Sequence, residues 1–71
     1  MTQSEYRNAR ETLGWTHLRL AEVVGLKKRS VYRYAAGERI PEPQARLIRL
    51  LVLMRLTLSR RKFEDIVRQL T

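Results

Sequence analysis

Four cationic side chains lie close together near the middle of the chain, at Lys27, Lys28, Arg29 and Arg33. Lysine and arginine donate hydrogen bonds to phosphate oxygens, and arginine most often binds the O6 and N7 atoms of guanine in a major groove. The cluster therefore has residue types that bind nucleic acid, provided that one face of a helix presents them together.

A helix from about Lys28 to Ala36 would separate these cations from apolar side chains. At about 3.6 residues per turn, Val31, Tyr34 and Ala35 share one face and are suited to a core. The opposite face consists of Lys28, Arg29, Tyr32, Arg33 and Ala36. We predict that the first four of these contact DNA bases, with a phosphate contact as the alternative for Tyr32.

The segment from residue 16 to residue 36 has the spacing of a helix-turn-helix. Ala21 is small enough for two helices to approach closely, Gly25 can adopt the left-handed backbone of a short turn, and Val31 can anchor the second helix. The supporting apolar residues are Leu20, Val24, Leu26 and Tyr34. An ordinary αα-hairpin has similar packing requirements and is the alternative.

The rest of the chain predicts three more helices and no strand, so the expected fold is all-α with five helices. Pro41 and Pro43 make residues 38–43 a loop. The helices outside the helix-turn-helix have recognisable limits, which are Ser4 and Gly14 for the first, Pro43 and Thr57 for the fourth, and Ser59 at the start of the fifth.

Composition limits the class of protein. The 71 residues suffice for one domain, residues 1–71, and the absence of cysteine excludes disulfides and thiolate metal sites. Fifteen Lys and Arg against seven Asp and Glu give a formal charge of +8, and the excess lies after residue 14. So basic a domain predicts a polyanionic partner, with solubility alone as the alternative.

The chain has no segment typical of export or membrane insertion. The amino terminus lacks the apolar core of a signal peptide. The longest apolar stretch, from Leu47 to Leu58, is too short and too interrupted by arginine to span a bilayer. We therefore expect a soluble, cytoplasmic protein with no membrane partner.

No arrangement of residues indicates catalysis. The chain has no Gly-rich phosphate loop, paired carboxylates or nucleophile beside a base, so we predict that it is not an enzyme and has no cofactor or small-molecule ligand. His17 is the only histidine and has no other ligands around it, so no metal site is predicted. At a helix N-terminus, where N–H groups attract anions, His17 is suited to a phosphate contact.

The stretch WTHLRLAEVVGLKKRSVYRYAAGERIP, residues 15–41, resembles the Cro/XRE (lambda-repressor-like) family of DNA-binding domains, and the resemblance extends more loosely over residues 4–58. It implies a five-helix lambda-repressor-like domain whose second helix of the motif enters the major groove. The residues that match the family's contact positions are Thr16, His17 and Arg39 for phosphates and Lys28, Arg29 and Arg33 for bases.

Three positions depart from the family pattern. His17 stands where the family often has Gln, Lys27 where Asp, Ser or Asn commonly caps the recognition helix, and Ala36 where a polar residue is frequent. Cations thus replace amide side chains, which favours guanine and phosphate over adenine. We assign Lys27 to a phosphate contact.

These features predict a sequence-specific transcriptional regulator of double-stranded DNA, a repressor that occludes a promoter. It is similar to compact regulators of phages and mobile elements, a group that includes anti-CRISPR-associated repressors, restriction-modification controllers and antitoxins. The alternatives are an antitoxin-like protein-interaction module that also binds DNA and an RNA-binding helical domain. The deep, narrow major groove of RNA excludes a helix and disfavours the second alternative.

We also predict a homodimer on an inverted-repeat operator, because one recognition helix reads too few base pairs to select a site in a genome. The fourth helix is apolar almost all the way round, and residues 59–71 form a fifth helix with an apolar stripe. The predicted dimer contacts are Leu51, Met54, Phe63, Ile66, Val67 and Leu70. The alternative is that the fifth helix folds back over its own core.

Overall fold

The computed structural model describes residues 1–71 and contains five α-helices and no strand. The helices are α1 (Gln3–Leu13), α2 (His17–Val24), α3 (Lys28–Ala35), α4 (Glu42–Thr57) and α5 (Arg60–Leu70). The predicted all-α, five-helix fold is therefore confirmed. None of the helices combines the length and the apolar character that a membrane span requires.

The start of α1 differs from the prediction. Thr2, and not Ser4, is the N-cap, because the Thr2 hydroxyl accepts a hydrogen bond from the Glu5 backbone N–H at 3.1 Å. The Glu5 carboxylate in turn accepts from the Thr2 backbone N–H at 3.4 Å. This reciprocal capping box satisfies two N–H groups, whereas a Ser4 cap would satisfy one. The hydrogen bond from Thr2, aided by Arg49, lowers the pKa of Glu5.

The limits of α2 agree with the predicted helix-turn-helix, which starts at residue 16 and turns at Gly25. The Thr16 hydroxyl accepts from the Arg19 backbone N–H at 3.1 Å and caps α2. Gly25 ends α2 in the left-handed conformation, with φ of 78°, and its N–H donates to the Ala21 carbonyl at 2.9 Å. The short turn between α2 and α3 therefore depends on glycine at this position.

Gly25→Val should destabilise the fold by about 1 kcal/mol or more, because a β-branched residue is strained at positive φ. No atom lies within 4 Å of where a Cβ would stand, so the cost comes from the backbone and not from a clash. A thermal melt should show a Tm lower by about 4–8 °C. Gly25→Asn, which tolerates this conformation better, is the control. An unchanged Tm for the valine variant would contradict this account of the turn.

One contiguous core joins all the helices. α3 packs against α1 and α2, and α4 packs against α1, α2 and α5, so α1 and α2 each contact both α3 and α4. On α2, Val23 is buried beside Leu20 and Ala21, and the predicted Val24 is partly buried against the same core. Trp15 stacks on Phe63 with ring centroids 5.8 Å apart, and this contact ties α5 to the junction of α1 and α2.

The structure corrects three of the predicted dimer contacts. Leu51, Phe63 and Val67 are at most 1% exposed and belong to the core of the chain itself. For Phe63 and Val67, the alternative prediction therefore holds, in which the fifth helix folds back over its own core. Since these side chains are already enclosed, a second chain cannot contact them. Met54 and Ile66 are half-buried, and Leu70 is exposed.

Three of the five exposed leucines of the chain lie on α4. Leu50, Leu53 and Leu56 are 53%, 59% and 68% exposed. The helix buries a single stripe, formed by Ala45, Ile48 and Leu51, and these three exposed leucines lie outside it.

Candidate nucleic-acid interface

The cationic face predicted for α3 is present. Val31 and Tyr34 are 0% and 8% exposed and attach the helix to the core. The predicted base-reading residues are all exposed, namely Lys28, Arg29, Tyr32 and Arg33. With eight residues, α3 is about 12 Å long, which suits the major groove of B-form DNA. DNA contact by these side chains stays a prediction.

Most cations around this face are free of acidic partners. Lys27, Lys28, Arg29 and Arg39 take part in none of the ion pairs of the protein. Lys27 is the N-cap of α3 and provides no side-chain cap, because an ammonium group has no acceptor. No acidic side chain of the protein therefore competes with an anionic partner for these four cations.

Arg33 is the exception among the predicted base readers. Its Nε and Nη2 atoms each lie 2.7 Å from a different carboxylate oxygen of Glu38. The two side chains are 59% and 45% exposed, so the pair lies at the surface beside the other α3 cations.

A second polar region surrounds the start of α2. His17 Nδ1 lies 3.2 Å from the hydroxyl of the buried Tyr6, and the two groups share a hydrogen bond. The imidazole stacks on the Tyr6 ring, with centroids 6.1 Å apart, and meets the Tyr32 ring of α3 at 5.4 Å. His17 therefore joins the core to the exposed face of α3.

Two arginines of α1, which were not among the predicted site residues, extend this region. A cavity of about 250 Å³ beside His17 is lined by Arg7 and Arg10 together with Gln3, Tyr6 and Ala35. Arg10 donates from Nη1 to the Trp15 carbonyl at 3.2 Å, while its buried Nε has no partner. Residues 1–14 have no net charge, so the charge count gave no sign of this local excess of positive charge. The usable signal was that Arg7 and Arg10 are one helical turn apart.

DNA affinity should rise as pH falls, if His17 contacts phosphate. Burial, and then the charge of Arg10, lower the pKa of His17 below its ordinary 6.5, so the imidazole is neutral at pH 7. Protonation below that value would convert a neutral phosphate contact into a charge-assisted one, worth about fivefold in affinity. The measurement is a titration with random duplex DNA between pH 7.5 and about 5.5.

His17→Gln is the control, and its affinity should vary less over the same pH range. The free protein should show the opposite trend, since a His with a lowered folded pKa loses stability as pH falls through that pKa. An equal pH dependence in the wild type and the glutamine variant would contradict the role of His17.

Two helices joined at a left-handed glycine, with the second presenting an exposed cationic face, define a helix-turn-helix DNA-binding domain. A sequence profile described as helix-turn-helix, of the Cro/C1 type, matches residues 7–60. The match covers more than half of the 71 residues, so the chain belongs to this family of DNA-binding regulators. No curated protein and no solved structure matches the chain.

The profile match confirms the predicted Cro/XRE family and the lambda-repressor-like fold. It concerns the family as a whole, and the more specific expectation of a phage or mobile-element regulator stays a prediction.

Proposed function

We propose that the protein is a sequence-specific repressor of transcription that reads duplex DNA with the exposed face of α3. The observation that carries the proposal is the division of α3 into two faces. Val31 and Tyr34 hold the helix on the core, while the four exposed side chains opposite them can donate hydrogen bonds to a groove. In this proposal, Lys28, Arg29 and Arg33 bind guanine, and Tyr32 packs on a thymine methyl or binds a phosphate.

Residues at both ends of the motif position α3 in the groove. Thr16 and His17 lie at the start of α2, where free N–H groups and the helix dipole favour a phosphate. Lys27 and Arg39 flank α3 in sequence and have no acidic partner that would compete with DNA. Contacts of this kind add affinity for every sequence and set the register in which α3 reads bases.

The protein acts as a homodimer on an inverted repeat in this proposal. A two-fold dimer would place two recognition helices about 34–36 Å apart, one turn of DNA, and double the number of base pairs read. The surface suited to a second copy comprises Leu50, Leu53 and Leu56 of α4, with Leu70 at the end of α5. α4 packs against the supporting helices α1 and α2, and its exposed side is therefore free for a partner while α3 binds DNA.

Binding across two half-sites would cover a promoter and so repress transcription from it. Such a protein would act in the cytoplasm of a bacterium or of a phage-infected host. The exposed leucines of α4 also favour a second candidate, an antitoxin-like module that uses this surface for a different protein. A restriction-modification controller is a third role that the same DNA-binding domain would serve.

Two binding measurements test the proposal. Selection from a random duplex pool should yield an inverted repeat with half-site centres about 10–10.5 base pairs apart. In electrophoretic competition, unlabelled duplex of that sequence should displace the probe at far lower concentration than random duplex or structured RNA. Equal competition by RNA, or a pool with no enriched sequence, would contradict sequence-specific binding to duplex DNA.

A further inference from the structure

We propose that Glu38 is a specificity-determining residue that holds the Arg33 guanidinium in the orientation needed to read guanine. The inference rests on the proposed function, since it concerns how α3 distinguishes bases. It starts from the bidentate pair in which Glu38 oxygens lie 2.7 Å from both Nε and Nη2 of Arg33.

The backbone after α3 brings Glu38 to this position. Gly37 is left-handed, with φ of 109°, and its N–H donates to the Tyr34 carbonyl at 3.1 Å. The Glu38 N–H donates to the Arg33 carbonyl at 3.0 Å. These two hydrogen bonds form a Schellman motif, which turns the chain back over the last turn of the helix. The backbone hydrogen bonds of this motif therefore place Glu38 beside Arg33, in addition to the attraction between the two charged side chains.

The donors left over on Arg33 match what guanine needs. A guanidinium has five N–H donors, and Glu38 uses the one on Nε and one on Nη2. Three donors remain, two on Nη1 and one on Nη2, and one from each nitrogen points off the end of the guanidinium. Guanine O6 and N7 together accept two hydrogen bonds. Arg33 can thus bind Glu38 and a guanine at the same time, without breaking the pair.

Because Glu38 orients the Arg33 side chain before DNA binds, it affects how strongly the protein prefers its site over random DNA. A free arginine loses conformational entropy when it orders against a base, and it can also turn towards a phosphate of any sequence. Glu38 removes the entropic cost by ordering Arg33 before DNA binds. Its negative charge also disfavours contact between Arg33 and a phosphate. The pair therefore raises the ratio of preferred-site affinity to random-DNA affinity. Lys28 and Arg29 have no such partner and do not gain this effect.

The test measures that ratio for Glu38→Gln on the full chain, using the site selected by the wild type. Glutamine can offer only one oxygen, so we expect the ratio to fall by about two- to tenfold, the cost of ordering one long side chain. The loss should be confined to the base pair that Arg33→Ala also affects. Glu38→Asp keeps the charge but is one methylene too short for the same contact, and it should also lower the ratio.

Asp65→Asn is the matched control, because Asp65 pairs with Arg68 at 3.9 Å on α5 and its loss changes net charge equally. Its ratio should equal that of the wild type. In an Arg33→Ala background, Glu38→Gln should change the ratio no further. An unchanged or increased ratio in Glu38→Gln would overturn the inference and leave DNA binding by the wild type intact. Absence of any sequence preference in the wild type would instead overturn the proposed function.

Discussion

Phe63→Ala should lower the free energy of unfolding by about 3–5 kcal/mol, the usual cost of removing a fully buried phenyl ring. Phe63 is 0% exposed and stacks on Trp15 at 5.8 Å, so the substitution leaves a cavity between α5 and the α1–α2 junction. A loss of this size is a large part of the stability of a small domain, and Tm should fall by at least about 12 °C.

Thermal unfolding followed by circular dichroism measures this effect. Gln69→Ala is the control on the same helix, because Gln69 is exposed and its truncation should change stability by no more than about 0.5 kcal/mol. If Phe63 were instead a contact between subunits, the alanine variant would become monomeric and keep its Tm at low protein concentration. That outcome would contradict its place in the core.

Replacing both Leu50 and Leu53 by Glu should abolish the proposed dimer. The two side chains are one turn apart on the exposed side of α4, and two facing pairs of carboxylates could not be buried together. Sedimentation at micromolar concentration should change from dimer to monomer. Affinity for the selected operator should fall by about a thousandfold, towards that for random DNA, because a monomer reads a single half-site.

The combination of Arg68→Gln with Gln69→Glu is the control for charge, since it also lowers the net charge by two at exposed positions of α5. It should reduce operator and random-DNA affinity to similar, small extents. A wild type that sediments as a monomer and binds its operator as a single copy would rule out the dimer.

The helix-turn-helix could be predicted because its determinants are local. Thr16 caps α2, Gly25 ends it, and Val31 anchors α3, each as spacing and residue type indicate. Local rules failed where two signals competed, as at the start of α1. There Ser4 is a good cap taken alone, but Thr2 forms a capping box with Glu5 and satisfies one more N–H group.

The division of α4 into buried and exposed faces could not be predicted, since periodicity identifies a face only when the other face is polar. Leu50, Leu51 and Leu53 look equivalent in sequence, yet only Leu51 meets the core. The apolar stripe predicted for α5 is present, but an apolar stripe alone does not distinguish packing of Phe63 and Val67 on their own chain from packing on another chain.

The candidate site shows the same limit. The exposed cations of α3 follow from the helical period, and their placement could be predicted. The pair of Arg33 with Glu38 depends on the turn at Gly37, and the hydrogen bond of His17 with Tyr6 depends on how α1 packs against α2. The first contact is local but needs the left-handed conformation of Gly37, whereas the second joins two helices through tertiary structure and has no signature in spacing.

The proposed reading of bases by α3 is tested most directly by the affinity of Arg33→Ala for the selected operator and for random duplex, over a range of salt concentrations. We expect a loss of about 1–3 kcal/mol on the operator, relaxed preference at one base pair, and little change on random DNA. Arg39→Ala, a predicted phosphate contact, should weaken both duplexes equally and reduce the salt slope by about one. An equal loss on both duplexes for Arg33→Ala would contradict base reading by this face.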